Sequence, residues 1–165
     1  MRQMKWARAV VAALLFAGSA AAARAIEQAP MPAFSVSRAD GTAVASTDFA
    51  PAMQYVFMYV TPNCRPCDRL LEMLKDTNVP QLPGRVVIVV GGSAASAAAY
   101  IHAHVPADIG EVAWFADPAG DAFKALRLTG SPVLIGVRGP QIVWSVSGVL
   151  NDASTVQSVV RSWVK

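Results

Sequence analysis

Cysteine and histidine are scarce in this chain, with two of each among 165 residues, and both cysteines fall within one four-residue stretch, Cys64-Arg65-Pro66-Cys67. A closed zinc site needs four ligands, and only His102 and His104 are available to join two thiolates. Residues two apart on a helix point to different sides, so no metal site is expected. One cysteine pair is also too few for a scaffold held by several disulfides. Charge is sparse as well, at 15% of residues, without a basic patch or a run of one sign. That argues against nucleic acid as a partner and against a solvated tail. Near the N-terminus the uncharged, mostly apolar stretch Ala9 to Ala23 has 15 residues, short of the ~20 that span a bilayer.

That stretch follows the basic residues Arg2, Lys5 and Arg8 and ends at Ala23-Arg24-Ala25, the pattern of a secretory signal peptide over 1–25. If it stayed uncleaved it would act as an N-terminal membrane anchor facing the periplasm, which is the alternative. Removing it takes away four basic residues and no acid. The formal net charge of +3 then becomes −1, with ten basic against eleven acidic side chains. The basic character therefore belongs to the leader. The expected location is periplasmic or otherwise exported, a setting in which disulfides form and persist.

What remains suits one domain, 33–165, after a short linker, 26–32. Asp40-Gly41 marks a hairpin between two short β-like runs. Met53 to Val60 reads as a buried strand between Pro51 and Pro62. Cys67, Leu70, Leu71 and Leu74 then recur at i, i+3, i+4 and i+7, with charged residues opposite, which predicts an amphipathic helix. A second apolar strand starts at Arg85, and an Ala-rich helix follows it. "EVAWFAD" reads as a third strand. Asp117-Pro118 has the form of an N-cap with proline at the first helical position, opening a helix that stops before Gly130. Two strands flank Gly139-Pro140 as a hairpin. Val156, Val159, Val160 and Trp163 mark a closing helix, with Asn151 or Ser154 as its cap. Trp114, Trp144 and Trp163 read as core residues.

This order implies an α/β fold with a central mixed β-sheet flanked by helices on both faces: early strands parallel, the late hairpin antiparallel. The strand-to-helix loop at Cys64 then lies at the carboxyl edge of the sheet, where sites of open α/β sheets cluster. A cysteine pair at this spacing can ligate a metal, staple the chain or exchange electrons. As a staple it closes so small a loop that it constrains little of the unfolded chain.

Taken together, the strand, the Cys64-Arg65-Pro66-Cys67 helix opening, Thr129-Gly130-Ser131-Pro132 before a late strand and the last helix resemble a thioredoxin-like fold. "FSVSRADGTAVASTDF" is similar to the N-terminal β-hairpin extension of exported TlpA-like proteins. "VFMYVTPNCRPCDRLL" looks most like the methylamine-utilisation accessory branch of that family. The resemblance spans about 33–164 and implies an exported protein thiol-disulfide oxidoreductase. Such a protein exchanges disulfides with protein thiol or disulfide substrates through a mixed disulfide, with no cofactor beyond its own redox-active Cys64–Cys67 disulfide. A membrane-embedded thiol partner is a further implication. The alternative is a thioredoxin-like binding or chaperone module for maturation of one partner, with the pair not catalytic.

Within the resemblance, Cys64 takes the role of attacking thiol, because a helix N-terminus stabilises a thiolate, and Cys67 that of resolving thiol. Arg65 and Pro66 tune the site. Pro132 is expected to be cis and to face the pair, with Ser131 presenting its backbone to substrate as an added strand. Two positions depart from the thioredoxin pattern: Met58 stands where a buried acid is usual, and Asn63 where tryptophan is usual. Without that acid the direction of electron flow stays open. The local field of Arg65, Arg69 and the helix end implies a disulfide less reducing than that of thioredoxin.

Overall fold

The structure, a computed structural model, describes residues 29–49, 54–75, 85–104, 113–148 and 152–163. The leader at 1–25 lies outside the described residues. Among the described residues, four α-helices and seven strands follow the expected order, and an eighth, two-residue strand lies within the expected linker. β1 is Ala29–Pro30, β2 Ser35–Ser37, β3 Ala43–Ala45 and β4 Gln54–Val60. Helix α1, Arg65–Lys75, follows β4, and β5 spans Val86–Gly91. Helix α2 is Ala94–His104, β6 Ala113–Asp117 and α3 Asp121–Ala125. The chain closes with β7 Val133–Arg138, β8 Gln141–Ser147 and α4 Ala153–Trp163.

The strands form one sheet in the order β1-β8-β7-β4-β5-β6-β2-β3. β4, β5 and β6 are mutually parallel, while β7 runs antiparallel to β4 and β8 antiparallel to β7. The parallel strands are apolar runs because both faces are covered: Tyr55 to Val60 and Val86 to Val90 are all buried. Alternation divides their side chains between two layers. Val56, Met58, Val60, Ile88 and Val90 pack with Leu70, Leu71 and Leu74 of α1, Tyr100 of α2 and Val156 and Val160 of α4. Phe57, Tyr59, Val87, Val89 and Phe115 pack on the other side with Phe34, Val36 and Val44 of the hairpin and Ala122 of α3. Among the described residues helices thus lie on both faces, three on one and α3 on the other.

The β2–β3 hairpin pairs Ser35 with Ala45 and Ser37 with Ala43. Its turn closes through Gly41, whose φ of 84° suits glycine, and through the Asp40 carboxylate, which accepts the Thr42 N–H at 2.8 Å. The hairpin adds to the sheet at β6. The described part of the expected linker is itself joined to the sheet: Ala29 and Pro30 pair with Ile142 and Gln141, and the Met31 N–H reaches Pro140 O.

Helix boundaries differ from expectation twice. Asp117 does not cap a helix beginning at Pro118. It is the last residue of β6, paired with Gly91, and α3 begins only at Asp121 after a turn. The carboxylate still serves the helix from a distance, accepting the N–H groups of Ala122 and Phe123. The cap of α4 is neither candidate. Asn151 lies outside the described residues, and Asp152 accepts the N–H groups of Ser154 and Thr155 at 3.1 and 3.2 Å.

Trp114, Trp144 and Trp163 are all half-buried at the edges of the core rather than inside it. Trp163 donates its indole N–H to Tyr55 O at 3.0 Å and meets Trp144 edge-on at 5.6 Å. Trp144 lies over Gly136: a Cβ there would come within 2.1 Å of the indole, so only glycine fits that position.

Candidate active site

Register explains why the site residues meet. β4 and β7 are antiparallel with Tyr59 opposite Val133, so the carboxyl end of β4 and the start of β7 share one edge of the sheet. Thr61 to Cys64 leave β4 there, and Ser131 and Pro132 enter β7 beside them.

The loop after β4 turns at Asn63, whose φ of 61° is left-handed, a conformation asparagine accepts more readily than most residues. Cys64 follows as the cap of α1. Its carbonyl accepts the N–H groups of Cys67 at 2.8 Å and Asp68 at 3.1 Å. Its sulfur accepts the Cys67 N–H at 3.3 Å. A sulfur on that first turn therefore has a backbone donor and the positive end of the helix dipole. Pro66 sits inside the first turn, where an N–H would have no partner in any case. Arg65 is exposed beside it.

Cys64 and Cys67 are joined as a disulfide with Cα atoms 5.2 Å apart. They differ sharply in environment: Cys64 is half-buried, whereas Cys67 is fully buried among the side chains of α1 and β4. Attack from outside the protein is therefore open at Cys64 and closed at Cys67.

The Ser131–Pro132 peptide is cis. Pro132 is buried, and Ser131 stands against the disulfide, its carbonyl oxygen 3.7 Å and its hydroxyl 3.6 Å from Cys64 Sγ. All six residues singled out in the sequence thus meet at one sheet edge.

Met58, in the position where an acid is usual, is fully buried in the same apolar cluster as Cys67. The buried carboxylate of this region is Asp117, on the opposite face. It accepts the Tyr59 hydroxyl at 3.1 Å. The Tyr59 phenol is pushed well above the usual tyrosine range, first by burial and then by the Asp117 charge and hydrogen bond. On α1, Asp68 accepts the Tyr100 hydroxyl at 2.8 Å and lies 3.7 Å from His104 Nε2. His102 is exposed. Among the described residues no group of three or more His, Cys, Asp or Glu side chains converges as a metal site would.

Sequence reasoning missed Thr61. Its hydroxyl lies 2.7 Å from that of Ser131, a contact across 70 positions of chain that no local pattern announces.

No protein-family model matches the chain, and no curated protein is significantly similar to it in sequence. Solved structures do resemble it. A secreted Mycobacterium tuberculosis disulfide oxidoreductase homologous to E. coli DsbE superposes with a TM-score of 0.63 at 12% identity, over 78% of this chain and 95% of that one. A putative thiol:disulfide interchange protein DsbE from Chlorobium tepidum gives 0.61 at 16%, over 81% and 95%. An uncharacterized thioredoxin-like protein from Porphyromonas gingivalis gives 0.60 at 20%, over 81% and 91%. With its parallel core, its antiparallel β7–β8 pair and helices on both faces, this chain has a thioredoxin-like fold.

Proposed function

We propose that this protein is an exported thiol-disulfide oxidoreductase that exchanges disulfides with protein substrates through a mixed disulfide on Cys64. The observation that carries the reading is the asymmetry of the pair: a half-exposed Cys64 sulfur at the N-terminus of α1, against a fully buried Cys67. A stapling disulfide has no use for that difference, whereas an exchange reaction needs one sulfur to meet substrate and a second to release it. Ser131, whose carbonyl oxygen lies 3.7 Å from Cys64 Sγ, is the residue that would pair with an extended substrate strand beside the disulfide. The similar solved structures named as disulfide oxidoreductases and interchange proteins support the same chemistry.

Export rests on the leader pattern at 1–25. Among the described residues no helix is long and apolar enough to cross a membrane. The TlpA-like assignment, and within it the methylamine-utilisation accessory branch, rests on the residues around Cys64. A membrane-embedded thiol partner would restore the working redox state of the pair.

Cys67→Ser tests the reading. Cys64 then forms mixed disulfides that no second thiol can resolve, so protein adducts accumulate in the exported fraction and disappear on reduction. Adducts on Cys64→Ser instead of Cys67→Ser would reverse the two roles. Absence of adducts on both, with Cys64→Ser retaining biological function, would favour a binding or chaperone module.

A further inference from the structure

Building on the reading of Cys64 as the attacking thiol, we propose that Thr61 is a positioning residue that directs the Ser131 hydroxyl proton at the Cys64 sulfur and so stabilises the Cys64 thiolate. Three polar atoms carry the argument: Thr61 Oγ1 lies 2.7 Å from Ser131 Oγ, and Ser131 Oγ lies 3.6 Å from Cys64 Sγ. A serine hydroxyl has one proton. Spent on Thr61, it leaves the sulfur facing the Ser131 oxygen lone pairs and the Ser131 carbonyl at 3.7 Å, an arrangement that disfavours negative charge. Spent on the sulfur, it stabilises the thiolate. The second arrangement requires another donor for Ser131 Oγ, and Thr61 supplies it. The two hydroxyls then point the same way, each strengthening the other.

Thr61 is held for this task. A Cβ built on Gly91 would lie 3.0 Å from the Thr61 methyl and 2.9 Å from the Tyr59 hydroxyl oxygen. The methyl therefore rests on the bare backbone of β5, beside a Tyr59 fixed by Asp117. Branching at Cβ restricts χ1, so seating the methyl at Gly91 sends the hydroxyl to Ser131. With Met58 under the pair instead of an acid, this neutral relay stabilises charge on Cys64 without taking up a proton.

In the exchange itself, the Cys64 thiol loses its proton to solvent and the thiolate attacks a substrate disulfide. A Cys64–substrate S–S bond forms, the substrate S–S bond breaks, and the departing sulfur takes the electron pair and then a proton. Cys67, deprotonated in turn, attacks Cys64 Sγ: the Cys64–Cys67 bond forms, the Cys64–substrate bond breaks, and the second substrate sulfur leaves with the electron pair and takes a proton. The protein ends as the disulfide, oxidised by two electrons, and the substrate as two thiols. The reverse reaction oxidises a substrate dithiol. In that direction a substrate thiolate attacks Cys64 Sγ of the disulfide, the Cys64–Cys67 bond breaks and Cys67 leaves and takes a proton; the second substrate thiolate then attacks the substrate sulfur of the mixed disulfide, the Cys64–substrate bond breaks and Cys64 leaves as the thiolate, so the relay bears on both directions through the same charge.

The test is the pH profile of Cys64 alkylation by iodoacetamide in the reduced full chain, resolved from Cys67 by peptide mass. The charged groups around the first helical turn, Arg65 and Asp68 with His104 beside it, stay the same in every variant. Thr61→Val keeps the shape and removes the donor. It should raise the profile midpoint by about half to one pH unit, a three- to tenfold loss of thiolate below the midpoint. Thr61→Ser should restore the wild-type profile. Ser131→Ala should shift the midpoint at least as far, and Thr61→Val should add nothing in that background. The proposal is overturned by an unmoved midpoint in Thr61→Val, by a Thr61→Val shift that persists undiminished with Ser131→Ala, or by a Thr61→Ser profile that matches Thr61→Val. Failure of the parent reading shows elsewhere, as absence of adducts on Cys67→Ser, because alkylation midpoints are read without turnover.

Discussion

Replacing Asp117 with asparagine changes almost no volume and should nevertheless cost a large part of the domain's stability. The carboxylate is 2% exposed. Oδ1 accepts the Ala122 N–H at 3.3 Å, and Oδ2 accepts both the Phe123 N–H at 3.2 Å and the Tyr59 hydroxyl at 3.1 Å. Every partner is a donor, so an amide, with one oxygen and one NH₂, leaves at least one donor facing another. The side chain also joins three elements: β4 through Tyr59, β6 through its own backbone and α3 through the two N–H groups. Hydrogen bonds to a charged acceptor contribute about 1.5–3 kcal/mol each, and an orphaned buried donor costs about 1–3 kcal/mol. A loss of about 3 kcal/mol follows for Asp117→Asn, because one or two of the three bonds fail and the turn before α3 relaxes around them. In urea, at ~1.5 kcal/mol per M, the midpoint should fall by about 2 M. Tyr59→Phe removes one of the three donors, so the two substitutions should be strongly non-additive: Tyr59→Phe costs stability in the wild type and little in Asp117→Asn. A midpoint shift under about 0.3 M for Asp117→Asn, or simple additivity of the pair, would refute the account of Asp117 as the anchor of this edge.

Two further outcomes follow. Equilibration with glutathione buffers, with the alkylated fraction read by mass, should place the Cys64–Cys67 potential above the thioredoxin value of about −270 mV and below about −120 mV; a value at or below the thioredoxin end would refute the argument that the helix end, Arg65 and the hydroxyls favour the reduced form. Asp152→Ala should lower stability at neutral pH by uncapping α4. The Asp152 carboxyl is held below its ordinary value of 3.8, first by the Thr155 and then by the Ser154 hydroxyl. Its contribution is thus present above that value and lost as pH falls through the lower folded one. Thermal melts of variant and wild type should converge there, and a gap that stays constant from neutral to strongly acid pH would sink the capping assignment.

How much of this was legible in the sequence depended on the range of the interaction. Cys67, Leu70, Leu71 and Leu74 announced both the helix and its buried face, because their spacing is set by α1 alone. The apolar runs of β4 and β5 announced burial on two sides. Where a local rule competed with strand pairing, pairing prevailed: Asp117-Pro118 has the form of a helix start, yet Asp117 is held in β6 opposite Gly91, and α3 waits until Asp121. At α4, Asn, Asp and Ser are nearly equivalent caps, so propensity did not distinguish 151, 152 and 154. The cysteine pair was visible by spacing, and its company of Ser131 and Pro132 by resemblance. Thr61 was not visible at all, since its role exists only once Tyr59 stands opposite Val133.

The missing acid gains its meaning from that geometry. In the layer beneath the pair, Met58 and Cys67 are both fully buried among aliphatic side chains, and the one buried carboxylate among the described residues, Asp117, is engaged by three donors on the far face. Among the described residues no buried carboxylate therefore lies on this face to deprotonate Cys67, whose burial disfavours its thiolate. Cys64, by contrast, has a backbone N–H, the helix end and a hydroxyl directed at its sulfur. On the proposed exchange reading, charge is thus favoured on the sulfur that would meet substrate and disfavoured on the one that would resolve it. On that reading such a pair would form mixed disulfides readily and resolve them slowly unless a base arrived with the bound substrate, which would make partner binding, rather than a carboxylate of its own, the natural control on the second step.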